Sequence, residues 1–162
     1  MEKTYSTLTP SRCRRRRFRV IHNPTAGMRN RLRLRRVLEF LNEDGCEIVV
    51  RNALNLSENH ALAKSARESD DFDAVVAAGG DGTVRAAAAA LLDSNLPLGI
   101  IPLGAGSIMT HEIGLSQSAD AIAICLLDRN VLSIPSGTAN GVPFFLNGRV
   151  RIRWSRHSQP QY

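Results

Sequence analysis

The chain has no apolar run approaching the about 18 residues that a bilayer span requires, so no membrane-spanning helix is expected. No apolar stretch stands behind the basic residues near the N-terminus, which argues against a secretory signal. Cysteine is scarce: Cys13, Cys46 and Cys125 are odd in number and far apart. They make neither a metal-binding nor a disulfide spacing, and such usage favours a reducing cytoplasm. Aromatic residues make up 5% of the chain, and only Phe18 interrupts the basic run Arg12–Arg19. No nucleic-acid-binding motif accompanies that run, so nucleic acid is not an expected partner. The P-loop pattern GxxxxGK[ST] is absent. A GxGxxG reading fails at both candidate sites, where the last position is Arg85 or Met109, which argues against a Rossmann dinucleotide site. None of His22, His60, His111 and His157 has a partner at a catalytic spacing. His22 reads as a packing or hydrogen-bonding residue at a strand end, and His111 and Glu112 as part of a solvated helix.

What remains is 162 residues, 43% of them hydrophobic, enough for one domain with a real core. The net charge of +6 comes from the ends. Residues 1–19 hold seven basic residues and one acid, and residues 147–162 hold four arginines and no acid. The stretch between them has ten basic and fourteen acidic residues. Residues 1–17 therefore read as a solvated basic leader, 18–146 as the folded domain and 147–162 as an atypical arginine-rich tail.

Phe18 to His22 (FRVIH) reads as a short buried strand, broken by the turn residues of Asn23-Pro24-Thr25-Ala26-Gly27. From Met28 to Asn42 the period is helical, with Leu34, Val37, Leu38 and Leu41 on one face. Ile48–Val50 is a second strand, and Ser57 is placed to cap a helix running to about Glu68. Asp73–Ala78 is a third strand, followed by an alanine-rich helix over Thr83–Leu92. Leu98–Ile101 is a fourth strand, and a short helix to Ile113 follows. A helix from Ser118 or Asp120 to Leu127 precedes strands at Val131–Ile134 and Val142–Leu146. Strands alternating with helices across short links predict an α/β fold with a mainly parallel sheet. The unbroken apolar run DAVVAA fits a strand buried on both faces.

Three glycine-bearing turns fall at predicted strand ends: NPTAG (23–27), GGDGT (79–83) and PLGAGS (102–107). Ligands of parallel α/β sheets sit beyond the carboxyl ends of strands. Glycines let a phosphate approach backbone N–H groups, and a following helix adds its positive end. The hydroxyls of Thr25 and Thr83 are candidate donors to phosphate oxygens. Asp81 suits holding the loop, orienting a donor or helping to place Mg²⁺. Any α/β protein has glycines at such turns, so NPTAG or PLGAGS alone is weak. A carboxylate set among three glycines is a poor choice for mere turning, and GGDGT after DAVVAA is the stronger signal.

This set resembles the catalytic domain of the diacylglycerol kinase family, which includes sphingosine, ceramide and bacterial lipid kinases. NAD kinases and phosphofructokinases are more distant relatives with a similar turn. The resemblance covers roughly residues 17–146 and implies a three-layer nucleotide-binding domain. It also implies ATP and Mg²⁺ as cofactors and a diacylglycerol-like lipid as acceptor, at a membrane surface met peripherally from the cytoplasm. By the resemblance, Asn23, Pro24, Thr25, Ala26 and Gly27 would contact ATP, as would Gly79, Gly80, Asp81, Gly82 and Thr83. Gly104, Ala105 and Ser107 would line the same cleft. The chain departs from the pattern in two places. Ala105-Gly106-Ser107 stands where the family has Thr-x-Asn, and Arg85-Ala86 where it has Asn-Glu. A non-catalytic nucleotide-binding module and an NAD kinase-like enzyme are the rival readings.

The family's second, β-rich domain carries its general base and metal-binding acids, and that domain is not in this sequence. Catalytic residues are therefore not assigned, and the apolar surface it would cover implies instability or a homodimer. The family's crossing segment resembles Phe-Phe-x-x-Ala-Gly-x-Gly-Phe-Asp. Here Phe144-Phe145-Leu146 is followed by NGRVRIRW, with arginine at alternate positions. One synonymous coding of that stretch, read one base forward, gives Met-Ala-Gly-Phe-Gly-Phe-Asp. A frameshifted lipid kinase is thus the expectation, beside an alternating edge strand as the plain reading. Sequencing the gene across codons 140–162 and onward tests it. An open forward-shifted frame encoding a β-rich acidic domain is expected, and a stop within a few codons would contradict it.

Overall fold

A computed structural model describes residues 16–26, 30–104, 114–128, 130–139 and 142–153. The elements are β1 (Arg17–His22), α1 (Arg31–Glu43), β2 (Glu47–Asn52), α2 (Leu56–Ser69) and β3 (Ala74–Gly79). They continue with α3 (Asp81–Ala90), β4 (Leu98–Pro102), α4 (Ala119–Leu127), β5 (Val131–Ala139) and β6 (Val142–Arg153). The sheet has six strands in the order β2-β1-β3-β4-β6-β5. The first four are mutually parallel, β6 meets β4 in parallel at Leu98 and Ile152, and β5 runs antiparallel to β6.

Helices cover both faces, which makes the predicted α/β three-layer arrangement. The period-2 alternation of the strands sorts their side chains into two cores. Phe18, Val20, Val76 and Ile101 meet Leu34, Val37 and Leu41 of α1 and Ile122 and Leu126 of α4. Ile21, Val75, Ala77 and Ile100 meet Ala63 and Ala66 of α2 and Val84, Ala87 and Ala88 of α3. Strands β3 and β4 are buried along their whole length, as unbroken apolar strands between two helical layers must be. Among the described residues no helix is long and apolar enough to cross a membrane.

Most strand and helix ends lie within two residues of expectation, β5 runs on from Ile134 to Ala139, and three further differences have a local reason. Asn55 rather than Ser57 caps α2: its Oδ1 accepts from Glu58 N at 2.9 Å, while Glu58 Oε2 accepts from Leu54 N at 2.8 Å. This reciprocal pairing satisfies two orphan N–H groups that Ser57, already inside the helix, is not placed to serve. Helix α3 begins at Asp81, two residues before Thr83, because Gly80 takes the extended N-cap conformation. Strand β6 continues the strand expected at Val142–Leu146 as far as Arg153, paired along β5. Helix α1 is described from Arg31; Met28 and the expected short helix ending at Ile113 lie outside the described residues.

At the opposite end of the sheet from the glycine turns, one carboxylate ties β3 to the start of β1. Asp73 Oδ2 accepts from the backbone N–H groups of Arg16 (2.8 Å) and Arg17 (3.0 Å), and Oδ1 lies 3.3 Å from Arg17 Nη2. Burial alone would raise the Asp73 pKa. The two N–H donors and the Arg17 guanidinium outweigh it and hold the carboxyl below its ordinary value. A carboxyl depressed in the folded state stabilises fully above its unfolded pKa of about 3.9 and loses that contribution as pH falls through the lower folded value. We expect Asp73→Ala to lower unfolding free energy by about 1–3 kcal/mol at pH 7 in urea titrations. The gap from the parent should close as the pH drops below 4. A gap independent of pH would contradict this role.

Candidate functional site

The order of the strands creates a crevice. From β1 the chain runs outward through α1 to β2, with α1 on one face of the sheet. From β3 it runs the other way through α3 to β4, with α3 on the opposite face. The helices that follow two neighbouring strands therefore leave in opposite directions, and the gap at their carboxyl ends is a topological switch point. Register places the three turns side by side: His22 pairs with Ala78, and Gly79 with Pro102.

The first turn is held by its own asparagine. Asn23 N donates to Ala78 O at 3.0 Å, which fixes the turn to β3. Asn23 Oδ1 accepts from Thr25 N (2.9 Å) and Thr25 Oγ1 (2.7 Å), and Ala26 N donates to Asn23 O (3.1 Å). This is the side-chain-closed turn that asparagine favours, with Pro24 pre-setting its bend. The single Thr25 hydroxyl proton is thus spent within the turn, on an exposed residue. At the strand end, His22 Nδ1 lies 3.1 Å from Asn52 Oδ1 across the β1–β2 pair, a hydrogen-bonding partner as its position implied.

In the second turn the three glycines are not equivalent. A β-carbon on Gly79 would lie 2.4 Å from Thr83 Oγ1 and 2.6 Å from its Cβ, so glycine is required there by packing. Thr83 correspondingly is buried, only 3% exposed, with its side chain turned onto the strand end. A β-carbon on Gly82 would make ordinary contact with Leu56 at 3.4 Å. Among the described residues a β-carbon on Gly80 would meet nothing within 4 Å, and its φ of −92° is open to any residue. Neither its backbone conformation nor packing among those residues calls for glycine at position 80. What glycine provides there is an open approach to the backbone. Gly80 is also the N-cap of α3 and brings no side chain of its own to the first N–H groups of the helix, which start at the carboxyl end of β3. The helix end carries about half a positive elementary charge. Asp81 begins α3, partly exposed, where a carboxylate is favoured by the same dipole.

The third turn closes over the second. Leu103 N donates to Gly79 O at 2.9 Å. A β-carbon on Gly104 would stand 3.2 Å from Gly80 Cα, so the two glycine backbones are nearly in contact. Two side chains from the start of α1 reach the same turn. Asn30 Nδ2 donates to Leu103 O at 2.8 Å, and Arg33 Nη1 donates to Pro102 O at 2.5 Å. Neither residue was singled out by the sequence pattern: Asn30 reads as part of a helix and Arg33 as one of its solvated arginines. Arg85 is exposed on α3.

The crevice therefore gathers Asn23, Pro24, Thr25 and Ala26, then Gly79, Gly80, Asp81, Gly82 and Thr83, then Gly104. Gly27, Ala105 and Ser107 lie outside the described residues, as do His111 and Glu112. Among the described residues no group of three or more His, Cys, Asp or Glu side chains could hold a metal ion. The sequence profile of the diacylglycerol kinase catalytic domain matches residues 17–139, which is most of the chain.

The chain belongs to the diacylglycerol kinase catalytic-domain family.

Among its curated relatives is "Probable lipid kinase YegS-like" of Citrobacter koseri, 30% identical over 118 residues, or 70% of this chain and 39% of the relative. The protein of the same name from Klebsiella pneumoniae is 30% identical over 105 residues, 63% of this chain and 35% of the relative. The matched region thus spans under two-fifths of the length of these relatives. A diacylglycerol kinase structure from Bacillus anthracis superposes with a TM-score of 0.68 at 22% identity, over 80% of this chain and 48% of that one. That likeness bears on the fold, and it agrees with the layers described above.

The glycines separate stability from accessibility. Gly79→Ala should cost about 1–3 kcal/mol, the usual range for overpacking. Gly80→Ala should stay within about 1 kcal/mol of the parent, since it loses only a modest N-cap preference and gains chain stiffness. Urea denaturation of both variants checks this, and equal losses would contradict the difference between the two positions.

Proposed function

We propose that this domain of a diacylglycerol kinase-family protein binds Mg·ATP in the crevice, as the nucleotide half of a bacterial-type lipid kinase. The acceptor would be the hydroxyl of a diacylglycerol-like lipid, met peripherally at a membrane surface from the cytoplasm. The observation that carries this reading is the face of Gly80 at the N-terminus of α3, where a β-carbon would meet none of the described residues within 4 Å. A helix N-terminus whose cap residue has no side chain suits a phosphate, which takes backbone N–H donors and the positive helix end.

The N–H groups at the start of α3 donate to phosphate oxygens, and the helix end supplies fixed positive potential. Asn23 keeps the first turn in shape by accepting both Thr25 donors, so Thr25 closes the rim rather than donating to phosphate. Thr83 fills the space over Gly79 and so fixes where α3 begins. Mg²⁺, held by ATP phosphates and water with Asp81 as the carboxylate of this turn, would neutralise charge developing on the transferred group. The nucleotide unit expected at residues 18–146 is carried by a sheet that starts at Arg17 and includes β6 as far as Arg153, with the residues before it a basic leader; the general base belongs to a further domain.

A non-catalytic nucleotide-binding module is the second reading. It is favoured by Arg85-Ala86, which puts an exposed cation on α3 where the family pattern has Asn-Glu. Calorimetry with Mg·ATP and a phosphorylation assay on diacylglycerol in mixed micelles test the two together. We expect weak Mg·ATP binding, lost in Gly80→Ala, and little or no lipid phosphorylation by the 162-residue chain. Robust phosphorylation would overturn the need for a second domain. Absence of ATP binding would overturn the nucleotide reading itself.

A further inference from the structure

The start of α1 contains a residue that does not do what its position favours. Asn30 is the N-cap of α1, where an asparagine side chain ordinarily accepts a hydrogen bond from the first turn and adds about 1 kcal/mol to helix stability. It makes no such bond. Its amide instead donates to Leu103 O, 73 residues away. One turn further along, Arg33 sends its guanidinium to the neighbouring carbonyl of Pro102, although an arginine on a helix flank has solvent available. Two adjacent carbonyls of the third turn are thus both taken by α1.

We propose that Asn30 and Arg33 are positioning residues that set the width of the phosphate crevice, an inference that rests on the nucleotide reading of that site. Leu103 is held on both sides through its main chain: its N–H donates to Gly79 O and its carbonyl accepts from Asn30 Nδ2. Gly104, the next residue, stands against Gly80 with no slack, since even a β-carbon would come within 3.2 Å. Any movement of the 102–104 segment therefore changes access to the Gly80 backbone. The links run from α1, which follows the first turn, through Leu103 to Gly79, which begins the second. Asn30 and Arg33 thereby make three separately coded turns into one rigid rim without touching the ligand. A role confined to anchoring α1 would leave nucleotide affinity alone, because Leu34, Val37 and Leu41 already bury that helix.

The test uses the full 162-residue chain. Asn30→Asp keeps the shape and removes the donor. Arg33→Met keeps the stem and removes the guanidinium, and Arg33→Lys restores a donor. For each, Mg·ATP affinity is measured by calorimetry, stability by urea, and the amide resonances of Leu103 and Gly104 by NMR. We expect Asn30→Asp and Arg33→Met each to weaken Mg·ATP by about tenfold, roughly the worth of one hydrogen bond. Both should shift the Leu103 and Gly104 resonances, and Arg33→Lys should recover most of the affinity. Parent-like affinity in Asn30→Asp and Arg33→Met overturns the inference while leaving the nucleotide reading intact. So does a loss explained wholly by a smaller folded fraction, or one that lysine does not rescue. A parent chain that fails to bind Mg·ATP sinks both. If Asn30→Asp does not fold, the Arg33 pair decides alone.

Discussion

The side chain of Thr83 occupies the space where any residue other than glycine at position 79 would carry its β-carbon. From that contact much of the crevice follows. Because Thr83 sits directly over the end of β3, α3 can start at Asp81 without an intervening loop. The Gly79 carbonyl remains in line to receive Leu103 N, which draws the end of β4 alongside. The Ala78 carbonyl receives Asn23 N in the same way and fixes the turn after β1. Two successive carbonyls of one strand thus hold the neighbouring turns, and the tight start of α3 keeps both within reach of its N–H groups.

The sheet order makes this edge useful. Were α1 and α3 on one face, their N-termini would crowd each other and close the gap. With the chain passing from β1 to one side and from β3 to the other, the helices separate and the gap stays open. The division of labour among the glycines then has a simple logic. Gly79 serves packing, Gly104 serves close approach of two backbones, and Gly80 serves neither. A residue whose side chain is dispensable to the fold, placed at the uncapped positive end of a helix, is where an anion can be received at little conformational cost.

Much of this was legible in the sequence. The alternation of strands and helices and the apolar runs DAVVAA and LGII announce a buried parallel sheet, and turn residues mark where each strand ends. The glycine turns stand out because glycine clusters and a lone carboxylate are hard to explain by turning alone. Less legible was the start of α3: three glycines read as loop by propensity, yet the helix begins inside GGDGT with Gly80 as its extended N-cap and Thr83 packed over Gly79. The choice between Asn55 and Ser57 as cap of α2 depends on Glu58, whose reach to two backbone positions is a matter of geometry. Thr25 and Thr83 look alike as candidate donors, yet one closes its own turn and the other is buried. Asn30 and Arg33 were invisible because their acceptors are main-chain carbonyls about 70 residues away, which no local period encodes.

The central claim is that the crevice receives phosphate on the N–H groups at the start of α3. The most direct measurement is a titration of ¹⁵N-labelled protein with Mg·ATP, followed by a matched titration with adenosine. The account predicts amide shifts concentrated at residues 80–83, with smaller ones at 23–26 and 104, present with ATP and largely absent with adenosine. Shifts of equal size with adenosine, or centred away from residues 80–83, would contradict it.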